Sequence, residues 1–252
     1  ESLYTVEKKN HEQEQELNQE RLRFYTNITH ELRTPLTLIL GPLEDMQKET
    51  SLPAKQAQKL SVIHQSALRL LNLINQILEF RKTETQNKKL CVSKGNIAPL
   101  IYEIGLKYKE LNQKTKIDFQ IQIEKEEMLL FFDKEIITIV LDNLISNAIK
   151  YTEQGKITLS LYPTTRNGVT YTEIKVSDTG YGISAEALPH VFDRYYQESG
   201  KHQASGTGIG LALVKNLVTL HEGEIRAESI QNEGSTFYIR LLTDNIYPNA
   251  LH

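Results

Sequence analysis

"VSDTGYGIS", residues 176–184, sets an aspartate and two glycines directly behind an alternating apolar run. "YTEIKVSD" (171–178) has the period of two of a strand with one buried face. "DTGYG" (178–182) follows it without a spacer. After 23 intervening residues "GTGIG" (206–210) opens a segment with helical pattern over 207–221. Glycines at a helix start let backbone N–H groups approach a phosphate, and the helix dipole favours the negative charge. Either glycine cluster alone reads as an ordinary turn. Their order, strand then turn and turn then helix, points to an anion site. The intervening "QESGKHQASG" (197–206) is polar and reads as a lid.

A third element belongs with these two. "LDNLISNAIKYT" (141–152) places Asn143 and Asn147 four apart on one side of an apolar helix, with Lys150 and Tyr151 one turn on. Buried amides need partners. Mg²⁺ bridging nucleotide phosphates would supply them, because Mg²⁺ takes oxygen ligands; amides capping neighbouring loops are the plainer alternative. The sequence contains no GxxxxGK[ST] phosphate loop and no eukaryotic-type protein-kinase signature.

Around these segments lie "KLCVS" (89–93), read as a strand, a helix over 96–112, strands at "IDFQIQI" (117–123) and "MLLFF" (128–132), and a helix over 133–151. "KITLSLY" (156–162) and the strand at 171–178 flank "PTTRNG", read as a hairpin turn. "EIRAES" (224–229) and "STFYIRLL" (235–242) close a hairpin around "QNEG". Strands among a few helices predict an α/β sandwich with one mixed sheet.

The N-terminal part differs. Residues 1–46 read as one helix, with Leu3, Asn10, Leu17 and Phe24 as a weak heptad seam. Ile28, Leu32, Leu36, Ile39, Leu43 and Met46 form an apolar stripe. "QKETSLPAK" (47–55) reads as a turn, and Leu60, Ile63, Ala67, Leu70, Ile74 and Ile77 mark a second amphipathic helix ending near Phe80. Such a hairpin buries little alone, so two are expected to dimerise as a four-helix bundle. The whole is expected to be α+β in class. Its expected parts are an entry helix (1–16), a helical dimerisation hairpin (17–81), a linker (82–89), a nucleotide-binding domain (90–245) and a tail (246–252).

Within the first helix, "FYTNITHELRTPLTLI" (24–39) sets His30 beside Glu31 and puts Pro35 five residues on. Pro35 removes an N–H and crowds the carbonyl of Glu31, at a cost in stability that asks for a use. His30 lies about 200° around the helix from Ile28, facing solvent. Neutral imidazole is a nucleophile near neutral pH. Glu31 stands where a base would, and Thr34, one turn on, could position a water. His11, His64, His190, His202, His221 and His252 lack this neighbourhood and receive no role, and no Cys/His set has zinc-ligand spacing.

Five segments now stand in order: "THELRTPL" (29–36), "LDNLISNAIKYT" (141–152), "VSDTGYGIS" (176–184), "VFDRYYQ" (191–197) and "GTGIGLALVK" (206–215). They resemble the H, N, G1, F and G2 boxes of bacterial sensor histidine kinases, and the resemblance covers essentially the whole chain. "LRFYTNITHELRTPLTLILGPLEDM" (22–46) is further similar to the large hybrid two-component sensors of gut bacteria. The resemblance implies a GHKL-type ATP-binding domain using ATP and Mg²⁺. It implies autophosphorylation of His30 with Glu31 as base, transfer to an Asp of a response-regulator receiver, and a phosphatase role for Thr34. Asn147 would ligate Mg²⁺ with Asn143 beside it, Lys150 would reach phosphate, and Tyr151 would line the ring pocket. Asp178 would accept from the adenine amino group, Gly180 and Gly182 would shape its turn, and Thr236 would complete the pocket through water. Phe192 and Arg194 would belong to the lid. Gly206, Thr207, Gly208, Gly210 and Leu211 would bring backbone to the phosphates. A homodimer on the cytoplasmic side of the inner membrane is implied, attached through sequence upstream of this chain.

The bulk numbers agree with a soluble globular protein. The 252 residues are 39% apolar and 24% charged, with net charge −3, which gives no reason to expect nucleic-acid binding. The single Cys91 excludes an internal disulfide. An ATPase that works by nucleotide-driven conformational change, on the same ATP-binding fold, is the alternative reading.

Overall fold

The computed structural model describes residues 3–48, 52–112, 116–197 and 208–250. Contacts divide the chain into two units, Glu1–Lys88 and Lys89–His252.

The first unit is a hairpin of α1 (Leu3–Lys48) and α2 (Ala54–Glu84). Helix α1 continues through Pro35 and also through Pro42, each of which deletes one i→i−4 bond. Threonine hydroxyls act on the same stretch: Thr29 donates to Tyr25 O (2.8 Å), Thr34 to His30 O (3.1 Å) and Thr37 to Arg33 O (2.9 Å). Leu36 and Leu40 pack against Ala67 and Ile74, with Leu71 at the margin. The expected stripe is wider than one partner helix can cover. Leu36 and Leu43 are buried, while Leu32, Ile39 and Met46 stay exposed, as do Ile63 and Leu70 on α2. Helix α2 runs past its expected end at Phe80 to Glu84, taking in the first residues read as linker. Gln86, at φ 55°, then supplies a left-handed cap, with Asn87 N donating to Lys82 O (3.0 Å).

In the second unit β1 (Ser93–Asn96), α3 (Ala98–Leu111), β2 (Ile117–Ile123) and β3 (Leu129–Phe132) come first. They are followed by α4 (Lys134–Tyr151), β4 (Gly155–Arg166) and β5 (Val169–Asp178), then α5 (Gly210–Leu220), β6 (Glu224–Ile230) and β7 (Gly234–Leu242). The mixed sheet has order β2-β4-β5-β7-β6, with only β2–β4 parallel. A two-stranded β1–β3 ribbon stands beside it. Two readings shift. The first strand lies at 93–96, downstream of most of "KLCVS". The "PTTRNG" turn contracts to Asn167 and Gly168, both at positive φ (52° and 78°), while strand pairing continues to Arg166↔Val169. Two positive φ values are what a two-residue hairpin of matching twist requires.

One face of the sheet is the core: Ile157, Leu159 and Leu161, Ile174 and Val176, and Phe237, Ile239 and Leu241. Gly105 of α3 packs so closely on Ile121 and Leu159 that a Cβ there would meet them at 2.9 and 3.0 Å. Helix α4 is capped by Asp133, whose carboxylate accepts from Ile136 N (3.0 Å).

The other face is polar and centred on one carboxylate. Glu173 accepts from Tyr162 Oη (2.6 Å) and from Arg240 Nε (3.1 Å), under a side chain only 5% exposed. Removing one partner of such a buried pair typically costs about 3 kcal/mol. Glu173→Ala is therefore expected to lower the unfolding free energy by about that amount in chemical denaturation. An unchanged midpoint would show the face to be held by the aromatic rings alone.

Candidate functional site

The loop after β5 has almost no freedom. Gly180 N donates to Asp178 Oδ1 (2.9 Å), closing an Asx turn. A Cβ at Gly180 would strike Tyr151 O, at the end of α4, and Thr152 Oγ1. Tyr181 N donates to that same Tyr151 carbonyl (3.2 Å), and Asn232 N donates to Tyr181 O (2.6 Å). Gly182 sits at φ +65° against the Ile230 carbonyl, and Gly234, at φ +127°, sits against the Asp178 carbonyl. The loop is threaded between the end of α4 and the β6–β7 hairpin. Its glycines are demanded by space and backbone angle together.

This threading holds the Asp178 carboxyl largely out of water. Burial raises its pKa, opposed by the N–H groups of Gly180 and Ser235. Register then decides its neighbour. Asp178 pairs with Ser235, and Ser177 pairs with Thr236. Directly paired residues share a face. Ser235 therefore lies on the helix side with Asp178, whereas Thr236 lies on the other face, its hydroxyl 2.9 Å from Ser177 Oγ. Thr236, expected to complete the pocket with Asp178, thus faces away from it, and Ser235 is the residue beside Asp178. Alternation with buried Phe237, Ile239 and Leu241 carried that signal in the sequence. The Ser235 hydroxyl donates to Ser229 Oγ (2.9 Å), since Ser229 already donates to Gly234 O (2.8 Å) and accepts from Ile183 N (2.8 Å). Both Ser235 lone pairs are left over.

Helix α4 brings the asparagines. Asn143 is buried and donates to Ile139 O (2.8 Å), and its Oδ1 faces Gly210, where a Cβ would come within 3.0 Å. Asn147 is half-buried, and its side chain makes no hydrogen bond among the described residues. Lys150 Nζ lies 4.7 Å from the centroid of the Tyr151 ring. Helix α5 starts at Gly210 behind Ile209, whose side chain cannot cap it, so its first N–H groups, including that of Leu211, face outward from a positive helix end. Gly208 adopts φ +68°, and its carbonyl accepts from Tyr195 N (2.9 Å). Phe192 meets Phe237 edge-on at 6.2 Å, and Arg194 is exposed. Gly206, Thr207 and most of the expected lid lie outside the described residues.

In the helical unit His30, Glu31 and Thr34 are all exposed on α1. Arg33 reaches across the hairpin to Asn75 Oδ1 (2.6 Å), a tie that nothing in the local pattern announced. Among the described residues no cluster of three or more His, Cys, Asp or Glu could hold a metal. A metal at this site would be met by an amide oxygen such as that of Asn147 and by phosphate oxygens, which suits Mg²⁺.

The chain combines a helical hairpin bearing an exposed histidine with a mixed-sheet unit bearing a half-buried aspartate and a glycine-started helix, the two-part organisation that the order of the sequence motifs implied. Comparison with known proteins agrees. Residues 20–86 match the His Kinase A (phospho-acceptor) domain, and residues 132–245 match the histidine kinase-, DNA gyrase B- and HSP90-like ATPase domain. A histidine kinase of Formosa agariphila is 37% identical over 246 residues, 95% of this chain and 17% of that protein. Hybrid signal transduction histidine kinase D of Dictyostelium discoideum is 33% identical over 253 residues, 96% of this chain and 16% of that protein. The chain thus spans about a sixth of the length of these relatives. Full-length ShkA, solved in complex with AMPPNP, shares the fold, with a TM-score of 0.67 and 24% identity over 86% of this chain and 44% of that chain. The chain belongs to the sensor histidine kinases and comprises their phosphoacceptor and ATP-binding domains.

Asp178 yields a physical expectation independent of ligand. Its folded pKa is raised, so the stability linked to its protonation is present below about pH 4 and is lost as pH rises through the folded value. Asp178→Asn keeps an acceptor for Gly180 N and removes the buried charge. The variant should unfold at higher denaturant than wild type at pH 7, and the gap should close below about pH 4. Destabilisation at pH 7 would contradict the assignment of burial as the dominant effect.

Proposed function

We propose that this chain moves the γ-phosphoryl group of bound Mg-ATP onto the imidazole of His30 and passes it to an aspartate of a receiver domain. The observation that carries the reading is the exposed His30–Glu31 pair on the proline-interrupted turn of the hairpin, in one chain with the ATP-binding unit. In the transfer the bond from phosphorus to the ADP oxygen breaks, a nitrogen–phosphorus bond forms, and the imidazole proton passes to Glu31. Asp178 accepts from the adenine amino group, with Ser235 beside it. Tyr151 lines the ring, Lys150 reaches phosphate, and the N–H groups of Gly208, Gly210 and Leu211 receive the phosphates. Gly180 and Gly182 hold the adenine turn, and Phe192 and Arg194 form the base of the lid. Asn147 binds Mg²⁺, with Asn143 beside it setting the Gly210 contact. Mg²⁺ supplies charge neutralisation across the phosphates.

Thr34 donates its hydroxyl proton to His30 O, which leaves its oxygen free to accept from a water in the reverse, phosphatase reaction. The exposed leucines and isoleucines of the hairpin support homodimerisation into a four-helix bundle. Among the described residues no helix is long and apolar enough to cross a membrane.

Incubation with labelled ATP tests the reading. Wild type should acquire acid-labile label. His30→Gln should acquire none, while its ATP affinity stays within about twofold, because the substitution touches only the hairpin. In the same preparation Thr34→Ala should label normally but dephosphorylate a phosphorylated receiver about 10²-fold more slowly. Undiminished label on His30→Gln would remove the acceptor assignment.

A further inference from the structure

His221 was given no role by its sequence neighbourhood, yet it is fully buried, 0% exposed, at the end of α5. Asp133 N donates to its Nε2 (2.9 Å), and Tyr247 Oη lies 3.0 Å from its Nδ1, the two rings edge-on at 5.2 Å. Because Nε2 accepts from a backbone N–H, the ring proton must sit on Nδ1, where it is donated to the Tyr247 hydroxyl. Burial lowers the His221 pKa, and burial pushes the Tyr247 phenol up to about 12, so both groups stay neutral. Asp133 and Glu222 are the charged groups acting on the ring, and both favour its protonation less than burial opposes it.

Asp133 joins this cluster to the rest of the unit. One carboxylate oxygen caps α4 through Ile136 N (3.0 Å), and the other accepts from Cys91 N (2.8 Å) near the start of the unit. Tyr247 comes from the segment after β7, itself pinned where Asn245 donates to Glu222 (2.9 Å). The match to the ATPase domain stops at residue 245, so Tyr247 lies outside it. Helices α4 and α5 are thus joined at two points. His221 meets Asp133 at one end, and Gly210 meets Asn143 at the other, ten residues along α4 and about 15 Å away. The second point is part of the nucleotide site.

We infer that Tyr247 is a positioning residue for that site: its hydroxyl accepts the His221 Nδ1–H and fixes the angle of the ring, His221 Nε2 holds the Asp133 N–H at the N-terminus of α4, and the α4–α5 pair so fixed sets Asn143, and with it Asn147 on the same helix, relative to Gly210. The inference rests on the nucleotide-site reading above. It makes the segment after β7 a working part of the catalytic unit, through which anything attached beyond it would act on nucleotide binding.

The test uses the whole chain at a temperature where every variant is fully folded by circular dichroism. Long-range ¹⁵N–¹H correlation of the imidazoles, assigned by comparison with His221→Gln, reports the tautomer, and fluorescence titration reports ATP affinity. Wild type should show His221 as the Nδ1–H form. Tyr247→Phe keeps the ring and removes one hydrogen bond. It should move the His221 Nδ1 resonance while the ring stays in the Nδ1–H form, and bind ATP about fivefold more weakly, the equivalent of one net hydrogen bond of about 1 kcal/mol. His221→Gln retains an acceptor for Asp133 N and should bind ATP more tightly than Tyr247→Phe. Wild-type affinity in Tyr247→Phe, with or without a lowered melting temperature, overturns the inference, and so does an unshifted Nδ1 resonance or a wild-type His221 protonated on Nε2. Asn147→Asp is the control. If it weakens ATP binding while Tyr247→Phe does not, only this inference falls. If it too leaves affinity unchanged, the nucleotide-site reading falls first.

Discussion

The catalytic unit is organised around a place where no side chain fits. Gly180 lies against the last carbonyl of α4, and Gly234 lies against the carbonyl of Asp178. Between them the Asp178 carboxyl is turned inward and fixed by the N–H of Gly180. Any Cβ at these positions would push α4 or the β6–β7 hairpin away and open the turn. The helix that carries Asn143 and Asn147, the strand end that carries Asp178 and the hairpin that carries Ser235 therefore keep one spacing. The cost is a buried carboxylate whose charge the fold disfavours. Such a cost is intelligible where a ligand's donor completes the group's hydrogen bonds.

The hairpin unit solves a different problem. Under the proposed function it presents His30 to water as a nucleophile. Pro35 and Pro42 each take one backbone bond from α1, and threonine hydroxyls draw on the carbonyls of Tyr25, His30 and Arg33. Side-chain bonding to i−4 carbonyls loosens and often bends helices. The turn bearing His30 is thus weaker along its axis than the rest of α1, while Arg33 ties it sideways to Asn75. A turn loosened along one direction and tethered along another is suited to rotation of the helix that carries it.

Much of this was legible in the sequence because the signals were local. Apolar spacing located the helices, alternation located β2, β5 and β7, and the two glycine clusters marked the turn after β5 and the start of α5. What was missed depended on partners distant in sequence. Whether Ser235 or Thr236 joins Asp178 is a matter of cross-strand register, and a shift of one residue exchanges the faces. "PTTRNG" held turn-forming residues along its length, yet β4 and β5 pair through most of it, because Asn167 and Gly168 alone can adopt the required positive φ values. The width of the apolar stripe on α1 exceeded what α2 covers, since periodicity records every buried assembly at once. His221 looked idle because its partners, Asp133 and Tyr247, are 88 and 26 residues away.

The central claim is that half-buried Asp178, fixed by Gly180, selects the adenine ring. Its most direct test is a pair of equilibrium titrations, Mg-ATP and Mg-GTP, on wild type and Asp178→Asn. An amide in place of the carboxylate would present a donor to the adenine amino group. The account predicts that wild type prefers ATP strongly, and that the variant loses at least about 100-fold in ATP affinity while its weak GTP affinity changes little, since unpaired polar groups in such sites cost several kcal/mol. Retention of wild-type ATP affinity and ATP preference in a folded Asp178→Asn protein would contradict it.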